Sequence, residues 1–586
     1  MTHLDGLRSA KSFHDIASLL GFKPRALAYI IYKIPVDQRY ESFDIPKKRG
    51  GYRKISAPNS KLKLVQQRLA NILQNCVEEL NKSKRINDHI SHGLKRKRSI
   101  LTNAKKHRNR RYVFNIDLND FFGSINFGRV RGFFIKDTNF KLEPNIATIL
   151  AQICCHDHSL PQGAPTSPVI SNLIGHILDI HLVKLASTNG CSYTRYADDI
   201  TFSTNKRNFP ENIAKQENIN IHDWAPGHDL DQLIKISGFT VNPTKTRMQY
   251  CDSRQEVTGL IVNKKINVRS DYRHTVRAMV HHLFTHGFYY LPQNKPPKET
   301  EISEENKGTM DQLHGMLGFI DSVDLYNKKN ASSAVVPRTE KQKLTSKESI
   351  YRRFLLFKLF YKAKAPVIIC EGKTDNIYIT HAIRSLAKNH PNLASINNDG
   401  SIQLKVRLFK YSETSTGRIL GINGGTGELT KFIPLYHNET KKFKALGCDQ
   451  PIIIIVDNDS GSNGNGRTFN AVRAIKKDAD PKHAPFTHIT QNLYLIATPL
   501  SLDGSDSMIE DFFTPETLSI EVGGKTFNRG NGINLNKEYG KNIFAQHVVK
   551  TMADSIDFRG FNPILSTIET VITTHAKTIT SESEET

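Results

Sequence analysis

Tryptophan occurs once in 586 residues, and the seven cysteines follow no paired spacing. That argues against a disulfide-stapled secreted scaffold and for free thiols in a reducing cytoplasm. Cys154, Cys155, His156 and His158 cluster, but no second ligand pair follows at finger spacing, so a zinc module is not expected. No run reaches the roughly 18 apolar residues of a membrane span. Met1 to Gly21 carries charge throughout, so neither an anchor nor a secretory leader is expected. Internal repeats are also lacking. Acidic residues are in short supply: 81 Lys and Arg face 57 Asp and Glu, a formal net charge of +24. From Lys95 to Arg111 there are nine Lys or Arg and no carboxylate. An excess gathered in runs points to a polyanionic partner.

At this length one hydrophobic core does not suffice, and two to four domains are expected. Residues 1–110 read as helices around a basic hairpin at Lys47 to Lys54, followed by alternating strands and helices over 111–262. Helices are expected at Asp271 to Phe288 and Met310 to Tyr326, separated by a polar loop from Pro292 to Gly308. Asn327 to Ser349 has linker composition. A basic amphipathic segment, Tyr351 to Lys364, leads into strand–helix alternation from residue 365 to 586, the pattern of a parallel sheet.

Carboxylates stand at the ends of apolar strand-like runs in two separate places. In the first, Asp117 closes Tyr112 to Ile116, and Asp198 and Asp199 sit in the turn between Ser192–Tyr196 and Ile200–Ser203. Nucleotidyl transfer needs magnesium ligands from at least two strands. Asp117 and Asp198 fit bridging ligands of two ions, with Asp199 more peripheral. In the second place Glu371 ends Val367 to Cys370, Asp375 follows on the first turn of a helix, and Asp457 and Asp459 end Ile452 to Val456. Their spacing suits an open site for one or two magnesium ions, although acidic loop residues after buried strands are common. Asn423 to Gly427 does not fit a P-loop and reads as a turn.

With these residues in place, the N-terminal half resembles reverse transcriptases. Asp117 with Phe121-Phe122, the run Leu160 to Pro168, and Tyr196-Ala197-Asp198-Asp199 carry the likeness. It implies a right-hand fold of fingers (1–110), palm (111–262) and thumb (263–326). It also implies that Phe122 is the gate against a ribose 2′-hydroxyl, that Gln162 contacts the incoming dNTP and that Arg53 clamps its triphosphate. Lys47 or Lys48 would assist, and Lys245 would protonate pyrophosphate. Core packing for Phe122 and an ordinary surface role for either lysine site stay open as alternatives. Asn103-Ala104-Lys105-Lys106-His107 and Val257-Thr258-Gly259 narrow the likeness to retron enzymes. Those imply copying of the enzyme's own structured non-coding RNA into a branched RNA–DNA product. The basic run with Lys105 and Lys106, and Asn103 and His107 beside them, are expected at nucleic acid. So are Arg273, His274, Arg277, His281 and His282 on the helix after Asp271.

The C-terminal part (365–586, after a linker and basic helix at 327–364) resembles the TOPRIM domain, a Rossmann-like parallel sheet, in its overcoming-lysogenization-defect nuclease branch. Glu371-Gly372-Lys373-Thr374-Asp375 and Asp457-Asn458-Asp459 are the anchors. The likeness implies a third acidic element at Asp511 and a late lysine, Lys541, on a reacting oxygen, with surface roles for both left open. The expected whole is a multidomain α/β protein: a retron RNA-directed DNA polymerase fused to a magnesium-dependent nuclease that cuts DNA or RNA as a toxic effector in anti-phage defence. No membrane partner is expected, and a homo-oligomer scaffolded by nucleic acid stays open. Two alternatives remain: a maturase-like or mobile-element enzyme whose second domain nicks DNA, and a second domain that only binds or oligomerises.

Overall fold

A computed structural model describes residues 2–47, 50–85, 89–218, 223–292, 306–331, 344–411, 415–422, 425–459, 462, 467–530 and 532–584. Lys48, Asn423, Gly424 and most of the two polar segments at 292–308 and 327–349 lie outside them. Contacts divide the chain into two compact units, Met1–Tyr272 with Val323–Val335, and Arg273–Ser322 with Val336–Thr586.

The first unit begins with short capped helices and a long antiparallel hairpin, β1 (Tyr40–Pro46) and β2 (Tyr52–Pro58), turned through the left-handed glycines Gly50 and Gly51. Helix α1 (Ser60–Ser83) is started by the Asn59 side chain, which accepts from Leu62 N. It buries Leu62, Val65, Leu69, Leu73 and Cys76, the stripe a 3.6-residue period lays on one face. After the short α2 (Ile100–Lys106) comes β3 (Tyr112–Asp117). Helix α3 (Ser167–Thr188) precedes the hairpin β4 (Ser192–Tyr196) and β5 (Asp199–Thr204), and β6 (Arg247–Tyr250) completes an antiparallel sheet in the order β4-β5-β3-β6.

The two faces of this sheet differ because strand residues alternate. Phe114, Ile116, Ile200 and Phe202 share one core with Ile170, Ile174 and Leu178 of α3. The opposite face carries Asn115, Asp117, Asp199, Thr201 and Ser203, with Thr201 Oγ1 donating to Asn115 Oδ1 at 2.9 Å. Sequence composition explains α3 too. It is long and apolar enough to cross a membrane by length and composition alone, and 56% of its apolar window is buried inside the protein. The start of α4 (Ser270–His286) and the end of α5 (Met310–Ala331) belong to this unit, and the rest of both helices belongs to the second.

The second unit adds α6 (Ser346–Leu356), whose Thr345–Glu348 capping box closes its first turn. Strand β7 (Val367–Cys370) leads into α7 (Asp375–Ser385) and then β8 (Arg407–Leu408). Helices α8 (Ser415–Leu420) and α9 (Thr426–Thr440) precede β9 (Ile452–Val456), followed by β10 (Thr487–Thr490), β11 (Leu493–Ala497) and the C-terminal α10 (Asn562–Glu584). The sheet order is β8-β7-β9-β11-β10, parallel except for the β10 edge. All residues of β7, β9 and β11 are buried. That is why these strands read as unbroken apolar runs instead of alternating ones. Ile368, Ile453, Ile455 and Ile496 pack with Ile379 and Ile383 of α7 and Ile564 and Ile568 of α10 in one core. Each such isoleucine contributes about 1.5–3 kcal/mol.

Candidate active sites

In the first unit the acidic turn joins β4 to β5 through two residues, Ala197 and Asp198, because Tyr196 pairs with Asp199. Ala197 holds φ at +56°. A left-handed first turn residue suits a two-residue hairpin, but without glycine it costs about 1–3 kcal/mol. The surroundings enforce it. Gly93 lies so close that a Cβ there would sit 2.3 Å from Ala197 N. Arg195 Nη1 donates to Ala197 O at 3.1 Å, while its Nε and Nη2 bind both oxygens of Asp179 at 2.8 and 2.7 Å. Both partners are buried, and Tyr193 Oη also donates to Asp179 at 2.7 Å. Gly175 of α3 leaves the space this guanidinium fills, since a Cβ there would come within 2.8 Å of it.

The turn is tied to the first acidic strand. Leu118 N donates to Asp198 O at 3.0 Å, and Asp117 stands opposite Asp199 in the β3–β5 register. Asn242 N donates to Asp117 O at 2.8 Å, which brings the short 3-10 turn Pro243–Lys245 alongside. Lys245 Nζ then reaches both Asp117 oxygens at 2.8 and 2.9 Å. Burial, then the Asp117 charge, pushes the Asp198 carboxyl above its ordinary value. Asp199 is exposed at the head of β5, yet partial desolvation of its carboxyl, then the Asp198 and Asp117 charges, pushes it up to about 6. Like charges held this close favour a proton or a cation between them.

Arg53 of the β1–β2 hairpin is exposed and within electrostatic reach of Asp198, whose charged form it favours. Gln162 O accepts from Ser56 N at 2.8 Å, so its loop is seated on β2. Gly163, at φ +124°, is needed there, because a Cβ would meet Ser56 O at 2.8 Å. Phe122 is half-buried with its ring 5.4 Å from that of buried Phe121.

The expected nucleic-acid residues divide sharply. Lys105 and Lys106 are exposed. Asn103 and His107 are placed inside the fold instead of on a nucleic-acid surface. His107 Nδ1 and Nε2 lie 2.7 Å from Ser203 Oγ and Thr194 Oγ1, and Thr194 Oγ1 donates to Asn103 Oδ1 at 2.6 Å. Thr194 has only one hydroxyl proton, so His107 Nε2–H donates to it and Nδ1 accepts from Ser203. Burial drives this imidazole down to about 3, so it stays neutral. The motif thus clamps β4 to β5 behind the acidic turn. On α4, Arg277, His274 and His281 are exposed, and Arg273 and His282 are half-buried.

In the second unit the chain leaves β7 toward β8 on one side and later returns to β9 on the other. The crevice at the carboxyl ends of β7 and β9 is therefore a switch point, where open α/β sheets hold ligands. Glu371 follows β7 and Asp457 follows β9. Asp457 N donates to Glu371 Oε2 at 3.2 Å, and Asp457 Oδ1 accepts from Ile509 N at 2.9 Å. Asp375 is buried at the start of α7 and accepts from Gly372 N at 2.7 Å. Asp459 lies on the loop beyond the strand, accepting from Ser462 N at 3.1 Å.

Glu510, overlooked in the sequence reading, belongs to this group, and its neighbour Asp511 does not share its place. The 3-10 turn Ile509–Phe512 points Glu510 inward, where it is fully buried, with Oε1 lacking any partner. Asp511 is exposed, caps its own turn by accepting from Met508 N at 2.8 Å, and pairs with Arg529. Lys541 Nζ holds Glu510 Oε2 at 2.9 Å. Burial, then Asp375, Glu371 and Glu510, pushes Asp457 up to about 8. Burial opposes the Lys541 charge, but Glu510, Asp457 and Asp375 outweigh it and keep the ammonium pKa above its usual range.

Among the described residues no group of three or more His, Cys, Asp or Glu side chains is drawn together closely enough to hold a metal ion by itself. Both clusters are open carboxylate sets, the donor type of magnesium sites completed by substrate phosphates. The raised Asp199 and Asp457 and the orphaned Glu510 oxygen fit such an ion at each place.

Residues 45–269 match the family described as reverse transcriptase (RNA-dependent DNA polymerase). The chain is 31% identical over 322 residues to the retron Ec86 reverse transcriptase of Escherichia coli, covering 54% of this chain and 87% of that one. To the retron Mx162 reverse transcriptase of Myxococcus xanthus it is 32% identical over 350 residues, 55% of this chain and 65% of that one. The retron Ec83 reverse transcriptase of Escherichia coli is 32% identical over 333 residues, 54% of this chain and 88% of that one. An RNA-dependent DNA polymerase uses divalent metal and dNTPs, and with Asp117, Asp198 and Asp199 assembled on one sheet, this chain belongs to the family of retron reverse transcriptases.

Proposed function

We propose that the polymerase copies its own structured RNA into a branched, RNA-linked single-stranded DNA, and that the second unit is a TOPRIM-type nuclease released as a toxic effector in anti-phage defence. In the polymerase, Asp117 and Asp198 would hold magnesium, with Asp199 beside them. The bound ions would acidify the primer hydroxyl and neutralise triphosphate charge. Lys245, on Asp117, is positioned to move toward departing pyrophosphate and supply a proton. Arg53 of the hairpin lies within electrostatic reach of Asp198, where it would meet a triphosphate. Phe122, half-buried against Phe121, would be the gate against a ribose 2′-hydroxyl.

The observation that carries the nuclease reading is the convergence of Glu371, Asp375, Asp457 and Glu510 at the β7–β9 switch point. Four carboxylates gathered in one crevice, with Lys541 held on Glu510, are costly for stability alone and suit a phosphodiester with its metal. There Lys541 would steady a reacting oxygen, and Asp459 would join from the loop. The non-catalytic alternative has to explain why a binding module keeps an orphaned buried Glu510.

The test is co-expression with the native upstream locus, in wild type, Asp198→Asn and Asp457→Asn. A discrete branched RNA–DNA species is expected in wild type and Asp457→Asn and absent from Asp198→Asn. Phage restriction is expected to need both residues. Restriction that persists after neutralising Glu371 or Asp457 would remove the effector role.

A further inference from the structure

A cavity of about 380 Å³ lies within the second unit and shares no lining residue with the acidic cluster. Its cationic lining is Arg277 and His281 of α4, Arg353 of α6, and Lys442 and Lys444 after α9. Its floor is apolar, from Val280, Phe284 and Ile350. The walls are fixed. Lys444 N and Ala445 N both donate to Phe284 O, at 2.9 and 3.0 Å, and the Phe284 ring packs 5.4 Å from Phe357 and 4.8 Å from Phe443.

Charge in the cavity is one-sided. Glu439 faces the cations, with Lys442 Nζ 2.9 Å from Oε1 and Arg353 Nε 2.8 Å from Oε2. The second contact lacks hydrogen-bond geometry, and both of its atoms are buried without a bonded partner. The Arg353 guanidinium also lies over the Phe284 ring, 5.2 Å from its centre. Arg277 and Lys444 are exposed at the mouth. Four permanent cations against one carboxylate, over an apolar floor, match a ligand that is anionic at one end and flat or apolar at the other. Guanidinium and ammonium groups in combination recognise phosphate. In a chain that polymerises nucleotides, the ligand at hand with both properties is a nucleotide.

We propose that this cavity binds a nucleotide phosphate, with Arg277, Lys442 and Lys444 on the phosphate and Val280, Phe284 and Ile350 against the sugar or base. The nucleotide is either free or one unit of a bound strand, and both present the same chemistry.

The full-length protein is acetylated briefly with an amine-reactive reagent, and each lysine is read by mass spectrometry. The probes are dATP and a short single-stranded oligonucleotide. At a probe concentration ten times its dissociation constant, Lys442 and Lys444 are expected to react about tenfold more slowly, with exposed Lys388 unchanged. Protection by dATP identifies a free-nucleotide site. Protection by the oligonucleotide alone identifies a strand contact, and either result supports the proposal. Arg277→Glu, at an exposed helix position, is expected to abolish the protection, and Arg277→Lys to retain part of it. Unchanged labelling of Lys442 and Lys444 under saturating dATP and oligonucleotide overturns the proposal. So does full protection that survives in Arg277→Glu.

Discussion

The two acidic clusters reach similar electrostatics from opposite topologies. In the first unit an antiparallel hairpin carries Asp198 on a strained two-residue turn and Asp199 at the head of the following strand, and the neighbouring strand supplies Asp117. In the second, parallel strands diverge at a switch point, and the carboxylates come from two strand ends, a helix start and a 3-10 turn. In each cluster a lysine sits on a carboxylate, Lys245 on Asp117 and Lys541 on Glu510. Each leaves another carboxylate raised, Asp199 to about 6 and Asp457 to about 8. The difference lies in the support. A buried Arg195–Asp179 pair and the Asn103–His107 clamp brace the polymerase turn, whereas the second cluster rests on backbone donors such as Gly372 N and Ile509 N.

The largest effect should come from Asp198→Asn. Primer extension is expected to fall by roughly 10³-fold or more, as when a main electrostatic stabiliser is lost, with metal binding at the second cluster intact. Next is the test of which adjacent carboxylate matters in the second unit. Glu510→Gln should abolish the magnesium-dependent rise in melting temperature that this unit contributes, and Asp511→Asn should leave it in place. Equal effects would erase the distinction drawn between inward and outward residues.

The bracing is tested by Arg195→Met. Removing one partner of a buried pair should cost about 3–5 kcal/mol in denaturant unfolding of the first unit, and the second unit should unfold as in wild type. The smallest effect is in pH. Asp457 is raised from 3.8 to about 8 when folded. Its stabilising contribution is therefore complete below pH 4 and lost as pH rises through about 8. For Asp199 the same loss is over about one unit above its folded value, by about pH 7. Without metal, the melting-temperature difference between wild type and Asp457→Asn should thus change across pH 7–8, while that between wild type and Asp199→Asn should stay flat there. Magnesium should abolish the Asp457 slope.

Much of both sites was legible in the amino-acid order. A carboxylate directly after an apolar run must sit at a strand end, which located Asp117, Glu371 and Asp457. Adjacent aspartates between two β-rich runs marked a turn, although only Asp198 lies in it and Asp199 begins β5. What was hidden depends on orientation and distance. Ile509-Glu510-Asp511 offers two neighbouring acids, and only the packing of the 3-10 turn decides which points inward. Asp179 and Arg195 meet across sixteen positions, with nothing local to pair them. Polar residues in a basic run looked like a nucleic-acid surface, yet Asn103 and His107 face the sheet, because α2 lays them on its buried side. The exposed Lys105 and Lys106 are their opposite face.

The most direct test of two separate metal sites in one chain is a manganese titration of the full-length protein, freed of nucleic acid and read by electron paramagnetic resonance. Wild type, Asp198→Asn and Asp457→Asn are compared. Each variant should lose one class of bound ion and keep the other. An Asp457→Asn variant that binds manganese as wild type does would contradict a second metal site.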